Sequence, residues 1–318
     1  MSHYVVTGGA GFIGSAIVRR LLGEGASKVV VVDNLLTGHE RNLEEVRSRV
    51  DFQRADIRNY GEIAPLMKGA SVVFHEAAIP SVPRSVSDPM TSHRANVEAA
   101  LNVLVAARDA GVKRLVYAGS SAAYGNAPTL PKREDMPPNP LSPYALQKLV
   151  AEQYCQMFTL LYGFETVTIR YFNVFGPRQD PGSPYSGVIS LFATALLEGR
   201  QPTIYGDGEQ TRDFTYVANV VDGVLRACDA QHVAGEVINV ATGGRISLNE
   251  LLRVMNRIIG TDIQAVYAEP RAGDVRDSQA DISKATRLLG YAPRVGLDEG
   301  LKRTVAWCRG ETPAATGR

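Results

Sequence analysis

Two periodicities share the first half of the chain. Short apolar runs, YVVT (4–7), VVVVD (29–33), VDFQRAD (50–56), SVVFHEA (71–77), RLVYAGS (114–120) and TVTIRYF (166–172), alternate with segments of helical period. Several runs are rich in Val and Ile and show little polar alternation, as strands covered on both faces do. Between them, Phe12, Ile13, Ala16, Ile17 and Leu21 recur on one helical face. Val97, Leu101, Leu104 and Val105 do the same, with a stop at Gly111. This alternation predicts an α/β fold, a doubly wound parallel sheet of Rossmann type.

The texture changes after residue 175 or so. FGPRQDPGSPYSG reads as a loop leaving the sheet, followed by a helix-like run over 188–198, the loop YGDGEQTRDF and mixed segments to the end. The expected division is 1–174 for the sheet domain and 175–318 mainly for a smaller, mixed α/β C-terminal substrate domain. A later stretch, about 213–240, is expected to return to the sheet domain.

Composition narrows this little. The 318 residues are 45% apolar and 21% charged, ordinary for a soluble globular protein. A net charge of +1 offers no footprint for nucleic acid or an anionic membrane surface. No window approaches the ~18 unbroken apolar residues of a spanning helix. Glycines interrupt the start, MSHYVVTGGAGFIG, so no signal-peptide core is expected, and the small polar tail 309–318 is expected to fray. Cys155, Cys228 and Cys308 suit neither a disulfide framework nor a zinc site; they fit a reducing, cytoplasmic setting. The five His residues have no ligand spacing, so no metal is expected, and His75 reads as a core histidine.

Candidate chemistry changes the picture more. VVTGGAGFIGS places Gly8, Gly11 and Gly14 between the first strand and the first helix. Such glycines permit a tight turn, close approach of backbone to a pyrophosphate, and close helix–strand packing. The helix N-terminus offers free N–H groups to phosphates. Asp33, at the end of the second strand, can accept bonds from ribose hydroxyls and would repel a 2′-phosphate, which favours NAD over NADP. Asp56, ending the third strand, reaches the adenine or caps its strand end.

Further on, SPYALQK sets Tyr144 and Lys148 one helical turn apart. A phenol titrates near ~10, so it becomes a base at neutral pH only where positive charge favours its phenolate. Lys148 is one such charge. AGSSAAYG puts Ser120 and Ser121 at the end of the fifth strand, where such sheets bind ligands.

Read together, TGGAGFIG, HEAA, AGSSAAYG and SPYALQK resemble the extended short-chain dehydrogenase/reductase superfamily. RYFNVFGPRQDP, YGDGEQTRDFTYV and RAGDVRDSQADISKATRLLGYAP narrow the likeness to the UDP-sugar 4-epimerases, near the branch acting on UDP-N-acetylhexosamines. The resemblance runs from the first strand to residue 305 or so. It implies an isomerase with tightly held NAD. Tyr144 takes the proton of the sugar 4-hydroxyl while C4 passes hydride to NAD; the 4-keto sugar turns over and hydride returns to its other face. Ser120, or Ser121 if the register slips by one, bridges base and substrate, and Lys148 is the cation beside the base.

The resemblance also implies cofactor contacts from Gly8, Gly11, Phe12, Ile13, Gly14, Asp33, Asn34, Asp56 and Ile57. Ala77, Ala78, Asn96, Ser120, Tyr144, Lys148 and Tyr171 complete that set. Arg212 and Arg271 would grip the UDP diphosphate, Asp274 the ribose, and Asn173 the phosphate or sugar. Arg84 would approach the hexose, and Val188 and Tyr205 are further substrate candidates. Ser278 falls where the family gates the space beside C2 of the sugar. A small residue there goes with N-acetyl sugars, a Tyr with glucose and galactose.

Dehydratases of the superfamily carry an Asp-Glu pair just after the catalytic hydroxyl; here Ser121 and Ala122 follow Ser120, so elimination is poorly served. A UDP-glucuronate 4-epimerase or decarboxylase stays open, as does a non-catalytic NAD-binding regulator. The helix after Tyr144 has apolar residues to spare (Leu149, Val150, Met157, Phe158, Leu161), either buried within the monomer or packed against a second copy in a homodimer.

Overall fold

Each of the six apolar runs falls on a strand: β1 (His3–Thr7), β2 (Lys28–Val32), β3 (Asp51–Gln53), β4 (Val72–His75), β5 (Arg114–Ser120) and β6 (Glu165–Tyr171). The computed structural model describes residues 2–180, 182, 187–270 and 275–311. The third strand is shorter than its run. At its exit Asp56 Oδ1 accepts the Arg58 N–H at 2.9 Å, an Asx turn that takes the chain off the sheet edge.

Beyond β6 come β7 (Val174–Phe175), β8 (Thr203–Tyr205), β9 (Thr211–Arg212), β10 (Thr215–Tyr216), β11 (Val237–Val240), β12 (Ile246–Ser247) and β13 (Val266–Ala268). One seven-stranded sheet runs β11-β6-β5-β4-β1-β2-β3, and every pairing in it is parallel. The order reverses between β1 and β4, so a crevice opens beyond their C-terminal ends, the usual ligand position in such sheets. The remaining strands pair two by two outside it.

Helices cover both faces. The first five are α1 (Phe12–Gly23), α2 (Tyr60–Ile63), α3 (Val82–Ser87), α4 (Pro89–His93) and α5 (Ala99–Asp109). Then come α6 (Pro143–Tyr162), α7 (Val188–Leu197), α8 (Val217–Asp229), α9 (Leu248–Ile259), α10 (Ser283–Leu289) and α11 (Leu297–Cys308). On one face Val6, Val31, Phe74, Val116 and Ile169 pack with Ile17, Val18 and Leu21 of α1 and Val220 and Val224 of α8. On the other, Val5, Val73, Leu115 and Tyr117 pack with Val103 and Leu104 of α5 and Ala151, Cys155 and Phe158 of α6. Alternate residues of each strand serve opposite faces, so strands buried on both sides read as unbroken apolar runs. The stretch expected to return, 213–240, holds α8, which packs on α1 and β5, and β11, which extends the sheet beyond β6.

Candidate active site

The first strand–helix turn leaves no room for side chains. A Cβ on Gly14 would stand 2.2 Å from the Gly8 carbonyl oxygen. Gly8 has φ +69°, and a Cβ there would lie 2.6 Å from the Ala77 backbone nitrogen. Three segments thus meet backbone to backbone at the crevice. Gly11 is the N-cap of α1 and brings no side chain to its N-terminus. A bare helix end behind a glycine turn is a cradle for a pyrophosphate, and these residues fit a dinucleotide.

A cleft of about 590 Å³ runs from this turn across the ends of β1, β4, β5 and β6. Gly8, Gly11, Phe12, Ile13, Gly14, Asp33, Asn34, Asp56, Ile57, Ala77 and Ala78 line it. So do Ser120, Ser121, Tyr144, Lys148, Tyr171, Asn173, Arg212 and Ser278. Residues scattered over most of the sequence therefore share one site. Val188 and Tyr205 line a smaller adjoining pocket of about 220 Å³, which also touches Asn173 and Arg212.

At one end of the cleft, Asp33 Oδ2 accepts the Ala10 N–H at 3.0 Å and Oδ1 accepts the Leu35 N–H at 2.8 Å. These bonds oppose burial, which raises its pKa. Asp56 accepts from Asn34 Nδ2 at 3.0 Å and from the Arg58 guanidinium at 2.6 Å. The Arg58 bonds hold its carboxyl down at about 2.

At the other end stands α6. Its start is dictated locally: Ser142 is the N-cap, its Oγ accepting the Ala145 N–H at 3.2 Å, and Pro143 occupies the first turn. The Tyr144 N–H donates to Ser85 Oγ at 3.0 Å. Burial pushes the Tyr144 phenol above its usual range, and a hydrogen bond with Ser120 opposes that push. Lys148 Nζ donates to the Ala118 carbonyl at 2.9 Å and lies 5.0 Å from the centre of the Tyr117 ring. Burial lowers its pKa to about 8. Burial thus works against the phenolate at Tyr144. The Lys148 ammonium is anchored on a strand carbonyl. His75 is a buried imidazole held neutral by desolvation, its Nδ1 2.7 Å from Thr7 Oγ1.

Two expected positions fall elsewhere. Asn96 sits one layer below the cleft and does not line it. Its Oδ1 accepts the Ile79 N–H at 2.8 Å, and its Nδ2 donates to the Ile79 carbonyl at 3.2 Å and to Gln147 at 2.9 Å. Its amide bonds to Ile79, in the turn that follows Ala77 and Ala78, and to Gln147 of α6. Arg84 lies on α3, outside the residues lining the cleft. Arg271 and Asp274 lie outside the described residues.

Other lining residues went unread in the sequence: Glu76, Thr37, His39, Arg58, Arg178, Gln179 and Asp180. His39 and Asp180 meet at 2.9 Å, and Arg178 donates to Glu45 at 2.8 Å. These contacts bridge the loop after β2 to the loop after β7. The available signal was charge density in the ligand-end loops TGHER and GPRQD. Among the described residues no group of three or more His, Cys, Asp or Glu is placed to hold a metal ion, and no helix is long and apolar enough to cross a membrane.

Comparison with known proteins agrees with this geometry. The NAD dependent epimerase/dehydratase family matches over residues 4–241. A putative UDP-glucose 4-epimerase of Methanocaldococcus jannaschii is 41% identical over 307 residues, covering 96% of this chain and 98% of that protein. The UDP-glucose 4-epimerase of Mycolicibacterium smegmatis is 40% identical, covering 97% of this chain and 99% of the relative. The structure of UDP-N-acetylglucosamine 4-epimerase from Methanobrevibacter ruminantium superimposes with a TM-score of 0.92 at 38% identity, over 97% of this chain and 98% of that one. With its parallel sheet, its glycine turn and these relatives along nearly its full length, the chain belongs to the NAD dependent epimerase/dehydratase family, on its UDP-sugar 4-epimerase branch.

Proposed function

We propose that the protein inverts C4 of a UDP-hexose, taking UDP-GlcNAc and UDP-GalNAc as well as UDP-Glc and UDP-Gal. The observation that carries this is the convergence of Ser120, Tyr144 and Lys148 on the cleft that also holds the glycine turn. When bound, NAD supplies the acceptor that oxidises C4 and the donor that reduces it again, so no net oxidation results. Tyr144 takes the 4-hydroxyl proton and gives it back. Ser120 holds the Tyr144 hydroxyl and the sugar oxygen in one hydrogen-bond chain. Lys148, kept on Ala118 O, supplies fixed positive charge beside them. Arg212, at the border of the two pockets, is suited to the diphosphate. Chromatography of products from a UDP-sugar panel, uronates included, tests this. Conversion of uronates alone would favour a uronate epimerase or decarboxylase, and conversion of nothing a cofactor-binding regulator.

Ser278 supports the N-acetyl assignment. It is buried against the cleft, and its Oγ accepts from Asn173 Nδ2 at 3.0 Å. A small side chain beside a substrate-facing Asn leaves space that a Tyr would fill. Ser278→Tyr should lower kcat/KM for the N-acetyl sugars by at least ~10-fold more than for the plain hexoses, within the range steric discrimination reaches. Equal losses on both classes would overturn the role of Ser278.

The homodimer rests on α6. Leu160 is 76% exposed and Leu161 61%, with Met157 and Tyr162 also exposed on the outer part of the helix. An apolar stripe of this kind suits a second copy of the chain. Leu160→Glu should shift sedimentation from dimer to monomer without changing the fold. A monomeric parent protein would refute the assignment.

A further inference from the structure

Glu76 is the first residue past β4, and the proton transfers assigned to Tyr144 make no use of it. Its backbone N–H donates to the Thr7 carbonyl at 3.1 Å, which fixes its start at the crevice. Its side chain spans the end of β5, the strand between β4 and β6. There the Tyr171 hydroxyl donates to Glu76 Oε1 at 2.8 Å. Glu76, Tyr171, Tyr144 and Lys148 all line the same cleft.

A carboxylate here has an electrostatic consequence. The nicotinamide ring is cationic when oxidised and neutral when reduced. A fixed negative charge near it therefore stabilises one form and not the other. We infer that Glu76 is a positioning residue: it holds Tyr171 against the cofactor site, and its negative charge favours the oxidised dinucleotide over the reduced one. This rests on the proposed NAD-dependent chemistry at Tyr144.

The groups that act on Glu76 are Tyr171 from β6 and Lys148 from α6. Tyr117 of β5 feels its charge in turn. His75, its neighbour on β4, is neutral. Burial pushes the Glu76 carboxyl up to about 7, while the Tyr171 bond and the Lys148 charge pull the other way. In the same field, Glu76 raises the pKa of Lys148 against the burial that lowers it. The sign follows. Below about 7 Glu76 is neutral and discriminates little; above it the carboxylate forms and preference for the oxidised cofactor grows. By reciprocity, binding the oxidised form draws a proton off Glu76 and binding the reduced form does not.

The test titrates NAD and NADH separately into cofactor-stripped protein from about pH 6 to pH 8, by calorimetry and by NADH fluorescence. An adjacent opposite charge shifts a carboxyl by at least about one unit, so the wild-type ratio Kd(NADH)/Kd(NAD) should rise at least about fivefold over that range. Glu76→Gln keeps an acceptor for Tyr171 but has no charge; it should bind both forms with a flat ratio. Tyr171→Phe leaves the carboxylate and should keep the pH-dependent rise. A wild-type ratio that is flat, or a rise that persists in Glu76→Gln, overturns the inference while leaving the proposed function intact. Failure of wild type to bind either dinucleotide would overturn the proposed function itself and this inference with it.

Discussion

Tyr144→Phe should lower epimerase turnover by ~10²–10⁴-fold, the usual contribution of a positioned acid–base group. The substitution removes one oxygen and leaves the ring. The cleft walls, the glycine turn and the Lys148 anchor on Ala118 all stay. Bound NAD should therefore be recovered from the variant in wild-type amount. Product formation from UDP-Glc and UDP-GlcNAc, measured alongside cofactor content, separates lost chemistry from lost binding. Turnover close to wild type would remove Tyr144 from the proposed role. Because burial works against ionisation of this phenol, the variant should also lose whatever rise in rate the parent shows as pH increases.

Gly14→Ala should have the largest effect on the cofactor site. The added methyl would stand 2.2 Å from the Gly8 carbonyl oxygen and 2.9 Å from the Gly9 Cα. Both neighbours are backbone, so no side chain can swing aside. Either the turn opens or α1 moves off β1, and either one disturbs the pyrophosphate cradle. Overpacking of this kind costs about 1–3 kcal/mol. The expected result is NAD affinity at least ~10-fold weaker together with a lower Tm. Unchanged affinity would mean the glycine turn is not where the phosphates lie. Gly23→Ala serves as the control, since nothing lies within 4 Å of a Cβ at that position.

The parallel sheet was legible because its strands are buried on both faces. Val29 to Val32 announce themselves without knowledge of their neighbours. β11 was harder. Val237–Val240 is four residues long, inside a stretch with no clear period, and its place beside β6 is set by a pairing that sequence does not display. The α6 end of the cleft was legible for another reason. SPYALQK carries its own helix start, so local signals alone place Tyr144 and Lys148 on one face.

Asn96 shows the limit of that kind of inference. Whether its amide faces the cleft or bonds to Ile79 depends on one rotamer, which the sequence does not display. Glu76 shows the opposite limit. Its partner Tyr171 is 95 residues away, and nothing local marks either residue as half of a pair.

The bridges from His39 to Asp180 and from Arg178 to Glu45 tie the two rims of the cleft together beside the cofactor end. All four side chains keep contact with solvent, so each pair is individually weak and weakened further by salt. Arg41 adds a third contact to Asp180, at 3.5 Å. Under the proposed function a dinucleotide in the cleft would leave past these contacts. On that reading the escape rate of the dinucleotide is expected to rise with ionic strength, independently of the proton transfers proposed for Tyr144.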